Sequence, residues 1–203
     1  MYYPCCGKSI CKGCIYSFDI SGNIPKCPFC KAENINGKTD AENIEYIMKR
    51  VEANDAGAIH MLGNYYLDGI GGLQQDHSKG LELLARAANL GYSKARHNLG
   101  TVYYQGGDLK KAKVHYETAA MAGNEVSRYN LGCFETKNVE RAIKHWTIAA
   151  SNGDYNSMHT LTKFFEQGVV NRESIDSILK AYNNSCAEMR SKARDDCIRL
   201  LNH

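Results

Sequence analysis

Proline is scarce, with 3 residues in 203, and tryptophan occurs once. So little proline favours long helical stretches over a loop-rich sheet protein. No run approaches the roughly 18 apolar residues that a membrane-spanning helix needs, and the opening residues have no apolar signal core. The expectation is a chain off the membrane, in the cytoplasm or nucleus. Charge of one sign is scarce too. Residues 1–38 carry Lys8, Lys12, Lys26, Lys31 and Lys38 against Asp19 and Glu33, and the remainder balances 20 basic with 20 acidic side chains. An excess of +3 confined to one short module gives no footprint for nucleic acid. Hydrophobic content of 43% and charged content of 23% are ordinary for a folded chain, which excludes wholesale disorder.

What the sequence does have is an internal repeat, the first thing to seek in a helix-rich chain. Leu62-Gly63 recurs at Leu99-Gly100 and Leu131-Gly132, with a degenerate copy at Leu161-Thr162. Ala87-Ala88, Ala119-Ala120 and Ala149-Ala150 follow at intervals of 32 and 30 residues, and each pair is trailed by Gly91, Gly123 or Gly153. Seven residues before each pair stand Gly80, Ala112 and Ala142, each behind Lys79, Lys111 or Arg141. One physical cause explains the register. Each unit is a pair of antiparallel helices, A with Leu-Gly and B with Ala-Ala. Small residues at the crossing let the backbones approach, and the trailing Gly supplies the left-handed residue that ends helix B. Leu83, Leu84, Ala87 and Ala88 share one face of helix B, as do Ile143, Trp146, Ala149 and Ala150. One pair cannot bury its apolar face alone, but stacked neighbours can.

This pattern resembles the Sel-1-like repeat, a relative of the tetratricopeptide repeat. The shared features are Leu-Gly, then Tyr, a Gly-x-Gly loop, an acidic residue, Lys-Ala and a closing Ala-Ala-x-x-Gly. The first unit matches nearly throughout, with Gly80 replacing the Ala, and keeps a long A–B loop over Asp68–Asp76. The second and third shorten that loop. The expected organisation is a lead-in helix at 39–54 and repeats at 55–92, 93–124, 125–153 and 154–190, then a C-terminal tail at 191–203. In the fourth unit the second helix, expected over about 171–190, is more polar and suits a cap. The resemblance implies an all-α fold, an antiparallel helix-pair repeat solenoid that binds other proteins. Tyr66 and Tyr103 are candidate anchors for such a partner.

Six of the nine cysteines fall in the first 30 residues. Cys11-x-x-Cys14 and Cys27-x-x-Cys30, twelve residues apart, present four thiolates at a spacing that suits tetrahedral zinc. Front-loaded pairs of this kind read as metal ligands better than as disulfides. In so small a module, zinc binding would supply much of the folding free energy, about 10–16 kcal/mol in zinc-finger peptides.

The run from Cys6 to Lys31 resembles the second half of a RING finger, in which ligand pairs one and three share one zinc and pairs two and four the other. Cys11/Cys14 match pair three, and Cys27/Cys30, with Pro28 between them, match pair four. Pair two would be Cys5 and Cys6, because Lys8 stands where the family has His. Pair one has no counterpart, so the chain is expected to start inside the domain. Two readings stay open: a half-built site beside an intact one on Cys5, Cys6, Cys27 and Cys30, or one zinc on Cys11, Cys14, Cys27 and Cys30. The resemblance implies a ubiquitin-conjugating enzyme as a partner, with Lys31 where the family contacts ubiquitin.

Catalytic residues are not found. His60, His97 and His159 stand two residues before Leu62, Leu99 and Leu161, and His115 and His145 stand four before an Ala pair. The register makes them packing residues. Gly69–Gly72 lacks the preceding strand and the Gly-Lys-Ser/Thr of a phosphate loop. The expected function is therefore a scaffold with a zinc module; the alternative is a RING-type ubiquitin ligase whose repeats bind substrate.

Overall fold

The computed structural model describes residues 2–3, 8–9, 40–135 and 137–201. Nine α-helices follow one another among them. They are α1 (Asp40–Glu52), α2 (Ala56–Asp68), α3 (His77–Asn89), α4 (Ser93–Gln105), α5 (Leu109–Met121), α6 (Glu125–Phe134), α7 (Val139–Ser151), α8 (Tyr155–Glu166) and α9 (Arg172–Leu201). Ahead of them two short strands, β1 (Tyr2–Tyr3) and β2 (Lys8–Ser9), pair antiparallel with Tyr2 opposite Ser9. The helical part is the all-α helix-pair repeat that the register predicts. The ligands of the expected zinc module, Cys5, Cys6, Cys11, Cys14, Cys27 and Cys30, and Lys31 lie outside the described residues.

Side-chain caps start most helices. Asp55, Asp76, Asp108, Asn124, Asn138 and Asp154 each accept a hydrogen bond from the backbone N–H three residues on. Each cap satisfies a donor that the first turn would otherwise leave open. Helix B of the first three units then ends at Gly91, Gly123 or Gly153, with φ of +84°, +83° and +89°. A side chain there would be strained, which is why the glycine recurs.

The contacts divide the chain into two compact units, one of Met1–Ala95 with Arg190–His203 and one of Arg96–Met189. In the first, α1 packs on α2 and α2 on α3. Ile44 and Ile47 of the lead-in helix meet Ala58, Leu62 and Tyr66 in a buried cluster. Gly63 and Gly80 form the crossing of α2 and α3. A Cβ at Gly63 would sit 3.2 Å from the Gly80 carbonyl oxygen, and one at Gly80 would sit 2.7 Å from Leu67.

In the second unit the crossings differ from the expected small-on-small contact. Gly100 abuts the ring of Tyr116, and Gly132 abuts the ring of Trp146; an added Cβ would lie 2.7 Å from ring carbon Cδ1 in each case. Tyr116 and Trp146 share the register position of Leu84. An aromatic there fills the groove that glycine opens, while Ala112 and Ala142 stay buried beside it. The indole N–H of Trp146 donates to the Tyr129 carbonyl oxygen at 3.3 Å, and the Tyr116 hydroxyl pairs with Thr101 at 3.1 Å. Each buried aromatic thus keeps its polar tip satisfied.

The fourth helix pair, α8 and α9, buries Met158, Leu161, Val170, Ile175 and Ile178 in one cluster with Trp146. Its second helix does not stop near 190, where a tail was expected, but runs on to Leu201. No glycine or proline stands between Val169 and the end of the chain to break it.

Candidate partner-binding surface

The two tyrosines proposed as anchors are mostly held by their own unit. Tyr66 is 9% exposed and belongs to the first cluster; the Lys79 ammonium sits over its ring at 4.2 Å. Tyr103 is half-buried against the Ala112–Tyr116 cluster and stacks on His115 with centroids 5.2 Å apart. His60, His97, His115 and His145 are half-buried in packing positions, whereas His159 is exposed. His60 lies against Tyr92 at 5.1 Å, His97 bonds Ser127 Oγ at 2.9 Å, and His159 stacks on Tyr155 at 6.0 Å. Burial holds His97, His115 and His145 below the usual imidazole range. Among the described residues no group of three or more His, Cys, Asp or Glu side chains could hold a metal ion. No described helix is long and apolar enough to cross a membrane.

A notch in the second unit was not foreseen. Gly132 and Cys133 of α6, Val139, Ala142 and Trp146 of α7, and Phe164 of α8 line about 230 Å³, with Glu135 at the rim. The space lies beside the Trp146 ring, which itself occupies the groove at Gly132. Trp146 and Phe164 form its aromatic wall, with centroids 5.3 Å apart. The Cys133 thiol is exposed and unpaired with any other cysteine. Val139, the first residue of α7, is 46% exposed at the lip.

The rim carries an ion cluster. Glu135 Oε1 accepts from Lys113 Nζ at 3.2 Å and lies 3.3 Å from Arg141 Nη2. The carboxylate side chain is only 10% exposed, whereas the Lys113 and Arg141 side chains are 38% and 59% exposed. The anion is enclosed and the cations face solvent. His145, one turn beyond Arg141, registers the same field. Burial lowers its pKa most, Arg128, Arg141 and Lys113 lower it further, and Glu135 pulls the other way. The only sequence signal for this site is the spacing that puts Gly132 opposite Trp146. The packing of Phe164 is a tertiary fact.

Comparison with known proteins agrees with the helical register. Residues 56–92, 93–124 and 127–154 match the Sel1 repeat family; the match does not extend to the fourth helix pair. A component of an ERAD-associated E3 ubiquitin-protein ligase from Arabidopsis thaliana is 30% identical over 52% of this chain and 18% of its own length. A putative sel1-like repeat-containing protein of Acanthamoeba polyphaga mimivirus is 30% identical over 63% of the chain and 25% of its own length. An F-box protein from Arabidopsis thaliana is 29% identical over 53% and 32%. The chain thus spans between 18% and 32% of the length of these curated relatives. Among solved structures, a Sel1 repeat protein from Oxalobacter formigenes aligns over 60% of this chain and 98% of its own, at 26% identity and TM-score 0.53. A protective antigen of uropathogenic Escherichia coli with an SLR fold covers 92% and 44%, at 18% identity and TM-score 0.57, a likeness of fold alone. Over residues 56–92, 93–124 and 127–154 the chain is thus similar to the Sel1 repeat.

Proposed function

We propose that this chain is a protein-interaction scaffold whose Sel1 repeats present a binding surface to partner proteins. The observation that carries this reading is the register itself. Three repeats spend their recurring Leu, Gly and Ala positions on packing. What the helices leave outward is surface: Tyr104, Leu109, Val139 and Tyr155 stand 54%, 51%, 46% and 66% exposed in the second unit. Exposed apolar and aromatic side chains on a rigid scaffold are suited to anchoring a partner. The test is affinity purification of the full chain under mild crosslinking, against an unrelated folded helical protein as control. A reproducible set of partners crosslinked through lysines of the repeats supports the reading. Enrichment no greater than the control overturns it.

Ahead of the repeats we propose a RING-like zinc module using Cys5, Cys6, Cys11, Cys14, Cys27 and Cys30. Its support is the ligand spacing, with Pro28 inside the last pair. A second functional reading follows, in which the module engages a ubiquitin-conjugating enzyme beside Lys31 and the repeats hold the substrate. The observation favouring it is that a ubiquitin-ligase component and an F-box protein stand among the relatives. An autoubiquitination assay across a panel of conjugating enzymes tests it; silence across the panel would sink it.

A further inference from the structure

We propose that the Trp146 notch is a docking pocket for one bulky apolar side chain carried on an acidic peptide segment of a partner protein. This rests on the scaffold reading and names the chemistry of what the scaffold holds.

Size argues for a side chain. The notch, at about 230 Å³, falls below the roughly 300 Å³ at which small-molecule sites begin. Its walls are Ala142, Val139, Trp146 and Phe164, which give an aliphatic or aromatic group dispersion contacts on three sides. The aromatic wall is also held still. Trp146 is pinned by its hydrogen bond to the Tyr129 carbonyl oxygen, so little ordering remains to be done on binding.

Charge argues for acidic flanks. Lys113 and Arg141 converge on a single oxygen of Glu135, and most of what they leave exposed is cationic. Around His145 three cations are set against one carboxylate. On the flanks, exposed Lys137 and Glu140 offset one another. A partner carboxylate placed over the rim would take the donors that Glu135 leaves unused. Charge-assisted bonds of this kind are about twice as strong as neutral ones. Elsewhere in the second unit, Tyr104 meets Phe134 edge-on at 5.7 Å and is 54% exposed.

The chain's sole tryptophan is a built-in reporter. The experiment titrates the full chain with three blocked hexapeptides: Asp-Asp-Leu-Phe-Asp-Asp, its Lys-flanked counterpart, and Asp-Asp-Ala-Ala-Asp-Asp. It follows Trp146 emission and the alkylation rate of Cys133 by mass spectrometry. The acidic Leu-Phe peptide is expected to shift emission saturably below about 1 mM and to slow alkylation at Cys133, with the other two weaker by about tenfold or more. Val139→Asp puts a like charge on the lip at a helix N-terminus, where Asp is accommodated. It should weaken the acidic peptide about tenfold without changing the helical circular dichroism. Arg141→Glu should weaken the acidic peptide and strengthen the Lys-flanked one. No emission shift with the acidic Leu-Phe peptide, or equal shifts with all three, overturns the pocket. If the peptides fail while the chain still crosslinks to partners, the scaffold stands and the notch falls; if both fail, both readings fall.

Discussion

His97 on α4 and Ser127 on α6 are joined by a 2.9 Å hydrogen bond between Nδ1 and Oγ. It links the first helices of two successive repeats, and Ser127 is fully buried beneath it. His97 also leans on the Tyr116 ring at 5.6 Å, so one side chain ties α4 to α5 of its own repeat and to α6 of the next. Ser127→Ala leaves a nitrogen of the half-buried imidazole without its partner. The expected loss is about 1–3 kcal/mol in urea unfolding. A loss within error of zero would show that the bond is incidental.

The same histidine makes stability depend on pH. Burial holds His97 below its ordinary value of 6.5, with Glu125 pulling it partly back. His115 and His145 are lowered by burial first, then by Arg96 and by Arg128. Between the lowered folded values and 6.5 the unfolded chain holds more protons than the folded one. Stability is therefore full above about pH 6.5 and falls as the pH drops through that window. Unfolding free energies at about pH 7.5 and pH 5.5 should show the drop, and His97→Gln should reduce it. An undiminished drop in that variant would remove His97 from the account.

Gly132 and Trp146 make a second measurable pair. Alanine is the better helix former by roughly 1 kcal/mol, yet a methyl at position 132 would run into the indole. Gly132→Ala should therefore destabilise by about 1–3 kcal/mol. Trp146→Leu, which copies the register residue Leu84, removes the obstruction but loses buried aromatic area. The double variant should cost less than the sum of the two singles. Simple additivity would mean that the two residues do not meet.

Asp154 tests the caps. It is 7% exposed and accepts from the Ser157 N–H at 2.7 Å. Asp154→Ala should cost about 1–2 kcal/mol, while Asp154→Asn, which keeps the acceptor, should cost less. Equal losses would place the contribution in charge and not in the cap.

Zinc content tests the module outside the described residues. Elemental analysis of the purified chain should find at least one zinc per chain, and chelation should release it. Cys27→Ser with Cys30→Ser should abolish binding, because both readings use that pair as ligands. A metal-free chain with all its thiols titratable would remove the module.

The helical fold was legible because its signals repeat. Leu62-Gly63, the Ala pairs and the trailing glycines each recur in register, so a chance match at one is corrected by the others. Gly91, Gly123 and Gly153 do adopt the left-handed conformation that the register assigns to them. His60, His97, His115 and His145 were readable for the same reason, but His159 is exposed. What escaped was set by contacts distant in sequence. Nothing local says that Gly100 and Gly132 face aromatic rings instead of the buried alanines. Tyr66 looked like an exposed anchor because its neighbours from α1, Ile44 and Ile47, lie some 20 residues upstream. The notch needs Gly132, Trp146 and Phe164 from three helices, and no single window contains them.

The central claim, that the repeats hold partner proteins, is tested most directly by site-specific photocrosslinking in cells. A photoreactive phenylalanine at Tyr104 or Val139 lies on exposed apolar surface of the second unit, and one at Glu117 lies on an exposed charged position. The account predicts discrete protein adducts from positions 104 and 139, and few from 117. Adducts that are absent from all three positions, or equally diffuse at each, would contradict it.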